Sequence, residues 1–141
     1  MDDHELVDEL TSLPAVPYLE GDLRSAPFED RVVAGRMTAV ILEDPGIYAL
    51  LVDRETGEVV ISDPDGVLHP VNSSLRQFVA CARAFEHACR EADTLDDDSR
   101  RRLEALGDST LLTFAKIDPS AVTGENQLWS VRAEELGYGL T

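Results

Sequence analysis

Three histidines (His4, His69, His87), two cysteines (Cys81, Cys89) and the adjacent Ser73 and Ser74 are the side chains in this chain best suited to hold a metal or attack an electrophile. Their spacing argues against both. A metal site needs several ligands at workable separations, and no CxxC, HxxxH or comparable pair occurs. Neither serine sits in GxSxG, and a helix-capping role, in which a hydroxyl accepts a backbone N–H bond, accounts for both. Cys81 and Cys89 fall on a stretch of helical periodicity, which sets their Cα atoms ~12 Å apart at ~1.5 Å per residue, beyond disulfide reach. On an apolar face their thiols stay protonated and inert. The run Asp96-Asp97-Asp98 and the turn "DPDG", Asp63 to Gly66, lack the spaced acids and distal Glu of a calcium loop. The late "GYG" is a frayed helix end rather than a phosphate cradle. The expectation is a protein with no catalytic residue, no metal and no cofactor.

If the chain does not transform a small molecule, its surface charge becomes the functional clue. Among 141 residues, 28 acidic side chains face 12 basic ones, a formal net charge of −16. Residues 1–30 carry nine acids and one Arg, residues 31–71 seven acids and three Arg, and residues 72–92 two acids and three Arg. The negative field therefore concentrates in the first half. Such a surface repels nucleic acid and anionic lipid and attracts basic partners, although acidity also serves solubility alone. The opening "MDDHELVDEL" is no secretory leader and no run of ~18 apolar residues occurs, which points to the cytoplasm. One Lys beside eleven Arg fits a GC-rich bacterial genome.

The elements follow from hydrophobic period. Residues 1–141 read as one domain, with 1–30 a looser amino-terminal helix and extended segment. Leu6, Leu10 and Leu13 share one side of a helix over Asp2 to Leu13, ended by Pro14. Prolines 14, 17 and 27 with Gly21 make Pro14 to Phe28 extended and irregular. A strand over Arg31 to Ala34 precedes a meander of "RMTAVILED", "IYALLVDRE", "GEVVISD" and "VLHPV", divided by Pro45-Gly46, Glu55-Thr56-Gly57 and "DPDG". "IYALLV" is apolar on both alternating faces, hence central and covered on both sides, and Pro70 suits an edge.

At "VNSSLRQFVA" the period changes from two to 3.6. Ser74 and Gln77 have capping-box spacing, while Asn72 or Ser73 fits the cap equally. Leu75, Phe78, Val79, Ala82, Phe85, Cys89 and Ala92 form one buried face, with Phe78 and Phe85 contributing ~1.5–3 kcal/mol each. "ADTLDDDSRRRLEALG" reads as a loop, an acidic helix start and a stop at Gly107, with Leu103 and Leu106 inward. "LLTFAKIDP" fits a strand by length and a helix by pattern, and is assigned helix. A closing helix aligns Trp129, Ala133, Leu136 and Leu140. The fold class is α+β, an antiparallel meander sheet packed with helices.

The order of a "YALLVDRETGEVVISDPDG" hairpin, a "VNSSLRQFVAC" helix and a closing "LWSVRAEELGYGL" resembles the SUKH-4 family of bacterial immunity proteins, with the SUKH (SMI1/KNR4-like) fold. The likeness runs from about Tyr48 to Leu140, with "VNSSLRQFV", "IDP" and the Trp129 region its most recognisable parts. It implies neutralisation of a cognate polymorphic toxin, often a nucleic-acid-directed deaminase or nuclease, by binding. The signature residues look structural: Asn72, Ser73 and Ser74 cap a helix, Leu75 and Phe78 fill a core, and Trp129 packs it. Acids on the sheet edge and turns, Glu43, Asp44, Asp53, Glu55, Asp63 and Asp65, are the expected toxin-facing residues, since complementary fields favour association with a basic toxin surface. A regulatory adaptor on the same scaffold is the alternative, and an uncharacterised hydrolase a remote third.

Overall fold

The computed structural model describes residues 1–14, 19–96 and 99–140. Residues 15–18 of the expected irregular segment, Asp97 and Asp98 of the acidic run, and residue 141 lie outside the described residues. The element order is α1 (Asp3–Leu10), β1 (Asp22–Leu23), β2 (Asp30–Val33), β3 (Arg36–Asp44), β4 (Tyr48–Asp53), β5 (Val59–Ser62), β6 (Leu68–Asn72), α2 (Leu75–Asp93), α3 (Arg100–Ile117), a 3-10 helix (Pro119–Val122) and α4 (Leu128–Gly137). This is the expected α+β class with an antiparallel meander.

The six-stranded sheet runs β1-β3-β4-β5-β6, with β2 also on β3. Chain between Pro14 and Phe28 is thus not wholly irregular: Asp22 and Leu23 pair with Glu43 and Leu42. Between β2 and β3 only Ala34 and Gly35 intervene, both at positive φ (50° and 77°), the geometry that matches a two-residue hairpin to strand twist. In β3 the register shifts between Val40 and Leu42, so Ile41 is an extra residue and both Ile41 and Leu42 join the helix-side core. Strand β4 is central as expected, and β6, with Pro70, is an edge.

One face of the sheet carries the main core. Leu50, Val52, Val59 and Val71 meet Leu6 of α1, the buried side of α2, Phe114 of α3, and Trp129 and Ala133 of α4. Helix α1 stops at Leu10, short of Leu13, with Thr11 as its cap and the Thr11 hydroxyl donating to the Val7 carbonyl. Arg54 anchors this amino-terminal segment to the sheet, donating to Asp3 (2.8 Å), Asp30 (2.6 Å) and the Met1 carbonyl (3.1 Å). Along α2 the buried residues include Cys81 and Ala88, while Cys89 and Ala92 are only half-buried. The 3.6-residue period was right, but the buried stripe lies slightly rotated from the expected one.

The largest departures concern the last two helices. Helix α3 starts at Arg100 and continues through Gly107 to Ile117, so Gly107 does not stop it, and "LLTFAKI" is helical. Gly107 is buried against α4, where an added Cβ would lie 2.8 Å from Gly137 Cα and 2.9 Å from the Ala133 carbonyl oxygen. The residue marks a backbone contact between helices, not a helix end. Helix α4 ends at Gly137, and Leu140, expected on its buried stripe, is 71% exposed beyond it.

Replacing an exposed helical glycine by alanine ordinarily stabilises by ~1 kcal/mol. Gly107→Ala should instead destabilise by ~1–3 kcal/mol, since the methyl group forces two backbones apart. Urea unfolding measures it, with exposed Ala105→Gly as the reference that loses ~1 kcal/mol. A Gly107→Ala protein as stable as the parent would contradict the contact.

Candidate interaction surface

The opposite face of the sheet carries its own buried cluster of Val33, Val40, Ala49, Leu51 and Val60, each 9% exposed or less, with Leu68 packed alongside and, among the described residues, no helix residue in it. Residues directly paired across strands share a face. The register therefore aligns Arg31, Thr38 and Asp53 in one row, Val40, Leu51 and Val60 in the next, and Glu43, Ala49 and Ser62 in a third, all on this side. Small aliphatic residues form the centre, and charged side chains frame it.

Those charges are largely committed to one another. Arg31 donates to Glu43 at 2.7 and 3.2 Å and to Glu29 at 2.9 Å, and Arg24 adds a 3.0 Å bond to Glu43. Arg36 donates to Asp53 and to Glu58, each at 2.6 Å. The Arg31 hydrogen bond, reinforced by the charges of Arg31 and Arg24, holds the Glu43 carboxyl below the usual range despite partial desolvation. Burial alone would raise Asp53, but the backbone N–H groups of Thr56 and Glu55 and the Arg36 guanidinium outweigh it and lower its pKa. Beyond this belt, turns at one end of the sheet bound a concavity of about 570 Å³ lined by Arg31, Glu43, Ile47, Ser62, Asp63 and Asp65, among others.

The six expected acids divide accordingly. Glu43, Asp63 and Asp65 line the concavity, and Asp44 ends β3 beside it. Asp63 is also the organiser of its turn: one oxygen accepts the N–H groups of Asp65 and Val67, each at 2.9 Å, and the other lies 3.2 Å from His69 Nε2. Asp53 is 4% exposed and serves the β4–β5 turn through the same kind of bond to Glu55 and Thr56, with Glu55 exposed at that turn. Glu43 and Asp53 thus owe their place to internal arginines, which acid counting alone does not reveal.

The signature residues meet at a different place. Ser74 is the α2 cap, its hydroxyl accepting the Gln77 N–H at 3.2 Å, but the Gln77 side chain does not close the box: it donates to the Ile117 carbonyl at 3.2 Å. Asn72 and Ser73, the other candidate caps, are occupied with Asp118. The Asp118 carboxylate is 1% exposed and accepts from Asn72 Nδ2 (3.0 Å), Ser73 N–H (2.7 Å), Ser73 Oγ (2.9 Å) and Ser120 Oγ (2.8 Å). Asn72 in turn accepts the indole N–H of Trp129 at 2.8 Å. Trp129 is fully buried among Phe78, Phe85 and Phe114, at centroid distances of 5.6, 6.3 and 5.2 Å. Leu75, 1% exposed, opens the same core below the cap. Desolvation raises the Asp118 pKa, but the donors from Ser73, Asn72 and Ser120 prevail and hold it below the ordinary value. Cys81 beside Asn72 is buried, which pushes its thiol up to about 12, the environment of an inert thiol.

The sequence profile of the SUKH-4 immunity protein family matches residues 8–135 of the 141. The chain belongs to the SUKH-4 immunity protein family. No curated protein and no solved structure matches it. The fold described above, a six-stranded antiparallel sheet with four α-helices, is consistent with the SUKH fold. In this SUKH-4 chain the aspartate of "IDP" is the acceptor on which Asn72 and Ser73 of "VNSS" converge, a role that residue spacing does not disclose across 46 positions. The signal that was available is compositional: an Asp between an apolar helix end and a proline.

A carboxylate whose folded pKa is depressed stabilises fully above its unfolded value, near 3.9, and loses that contribution as pH falls through the folded value. Asp118→Asn in this SUKH-4 protein should therefore cost about 2–3 kcal/mol at pH 7, where charged hydrogen bonds are lost, and the gap to the parent should narrow at pH 3. Urea midpoints at the two pH values measure it, and a gap of equal size at both would refute the charge-based role.

Proposed function

We propose that this SUKH-4 protein is a bacterial immunity protein that neutralises a cognate polymorphic toxin by direct stoichiometric binding in the cytoplasm, without turnover of a substrate. The toxin is a nucleic-acid-directed deaminase or nuclease, whose substrate-binding cleft is basic. The observation that carries this reading is the family match across residues 8–135. The net charge of −16 supports the partner's sign, since an acidic inhibitor gains association rate and discrimination against a basic surface.

The toxin-facing region is the sheet edge and its turns, with Glu43, Asp44, Asp53, Glu55, Asp63 and Asp65 contributing to its field. Two kinds of contribution are involved. Asp44, Glu55, Asp63 and Asp65 present charge from a strand end and from turns, whereas Glu43 and Asp53 hold Arg31 and Arg36 in place and shape the face. Bringing a basic protein to such a surface is a long-range effect screened within ~8–10 Å at physiological salt.

Two measurements test this. Co-expression with the toxin encoded beside its gene should restore growth, and the purified pair should run as an equimolar complex. Reversing Asp44, Glu55 and Asp65 to lysine, with Asp63 left in place to hold its turn, should lower the association rate at least tenfold at low salt, with a smaller change in dissociation. Absence of rescue and of a complex, or a substrate turned over by the purified protein and lost with one point substitution that leaves folding intact, would overturn the proposal. Unchanged rates after charge reversal would remove the assigned face while leaving the function standing.

A further inference from the structure

The acids of the sheet face are partly neutralised by arginines, which directs attention to acids that are not. Helix α3 packs mainly on α4, α2 and the 3-10 helix and reaches the sheet core through Phe114, while its exposed residues Asp108, Leu111 and Leu112 face solvent on the helical side of the molecule. There a groove of about 360 Å³ has an apolar floor of Leu111, Val122 and Ala133 and is bordered by Asp108, Glu125 and Glu134. All three carboxylates are exposed, and among the described residues none has an ion pair or accepts a side-chain hydrogen bond. No Lys or Arg lines the groove. Leu111 is 37% exposed and the next residue, Leu112, is 64% exposed, a pair of adjacent leucines left in water on α3.

We propose that this groove is a second interaction surface, independent of the toxin-facing sheet, and that its occupant is a basic amphipathic segment of a partner protein. One aliphatic side chain of that segment sits on Leu111, Val122 and Ala133, and lysines or arginines on either side of it meet Asp108, Glu125 and Glu134. The chemistry follows from complementarity. An apolar floor alone would accept any hydrophobe, and an acidic rim alone any cation, but a floor enclosed by three carboxylates without a compensating cation selects a segment carrying both. An anionic segment is repelled by all three. The close crossing at Gly107, which also lines the groove, holds α3 and α4 in a fixed relation, so the site is formed before binding. The proposal does not depend on the toxin reading and can fail or hold separately from it.

The test uses the full chain, 15N-labelled, titrated with a synthetic amidated helical peptide in which one leucine is flanked by lysines at i−4 and i+3. Two control peptides replace that leucine by serine or the lysines by glutamate. Expected are saturable shifts confined to residues 107–111, 122–125 and 130–134, with at least tenfold weaker binding for either control. Asp108→Lys/Glu134→Lys and, separately, Leu111→Gln should each weaken the leucine–lysine peptide at least tenfold, with unchanged melting temperature as the check on folding. Asp65→Lys/Glu55→Lys, on the sheet turns, should change its affinity less than threefold. No saturable shift, shifts centred on the sheet turns, equal binding of the serine peptide, or groove variants with parental affinity would each overturn the proposal.

Discussion

A carboxylate buried without a cation is the constraint around which this molecule is assembled. Burying such a charge is costly unless hydrogen bonds replace its water. Asp118 meets that requirement with donors from Asn72, Ser73 and Ser120, which come from the last residue of β6, the turn into α2, and the 3-10 helix. Each donor is useful only when its element is in place. The carboxylate therefore couples the edge of the sheet to the start of the main core helix and the end of α3, and Asn72 extends the coupling to α4 through the Trp129 indole. Hydrophobic burial supplies the larger stabilisation, but it is tolerant of small shifts. The polar joint is not, because a displaced donor leaves a bare charge in the interior.

The two faces of the sheet are buried by different means. With α1, α2 and α4 contributing to the core on one side, the other side is left to a small aliphatic cluster and a belt of ion pairs. Arg31 and Arg36 take up much of the negative charge that the sequence places on this face. Net charge therefore overstates how much free acid the sheet presents. On the helical side Glu86, Glu104 and Glu135 are likewise paired with arginines, whereas Asp108, Glu125 and Glu134 have no ion pair among the described residues.

For the binding function proposed above, this division matters. A face of short, well-paired strands, with turns held by Asp53 and Asp63, is formed in advance and loses little conformational freedom on binding. Affinity for the proposed partner then depends on matching shape and field rather than on ordering a loop.

Alternation and helical period in the sequence were enough to determine the α+β class, the four meander strands, the central place of β4 and the span of α2, because burial imposes a local repeat on each element. Family membership was legible in the same stretches. Where a residue's role depends on distant neighbours, local pattern misread it: Gly107 looks like a stop until α4 is laid against it, Leu140 continues a stripe whose helix has already ended, and Asn72 looks like a cap until Asp118 claims it. Charge and turn position single out the six acids, but only the tertiary structure decides that Glu43 and Asp53 meet arginines while Asp65 and Glu55 face water. Sequence thus determined which segments must bury a face. Tertiary structure decided which polar groups meet, because a hydrogen bond or ion pair requires contact between atoms and nothing in the local repeat specifies a partner tens of residues away.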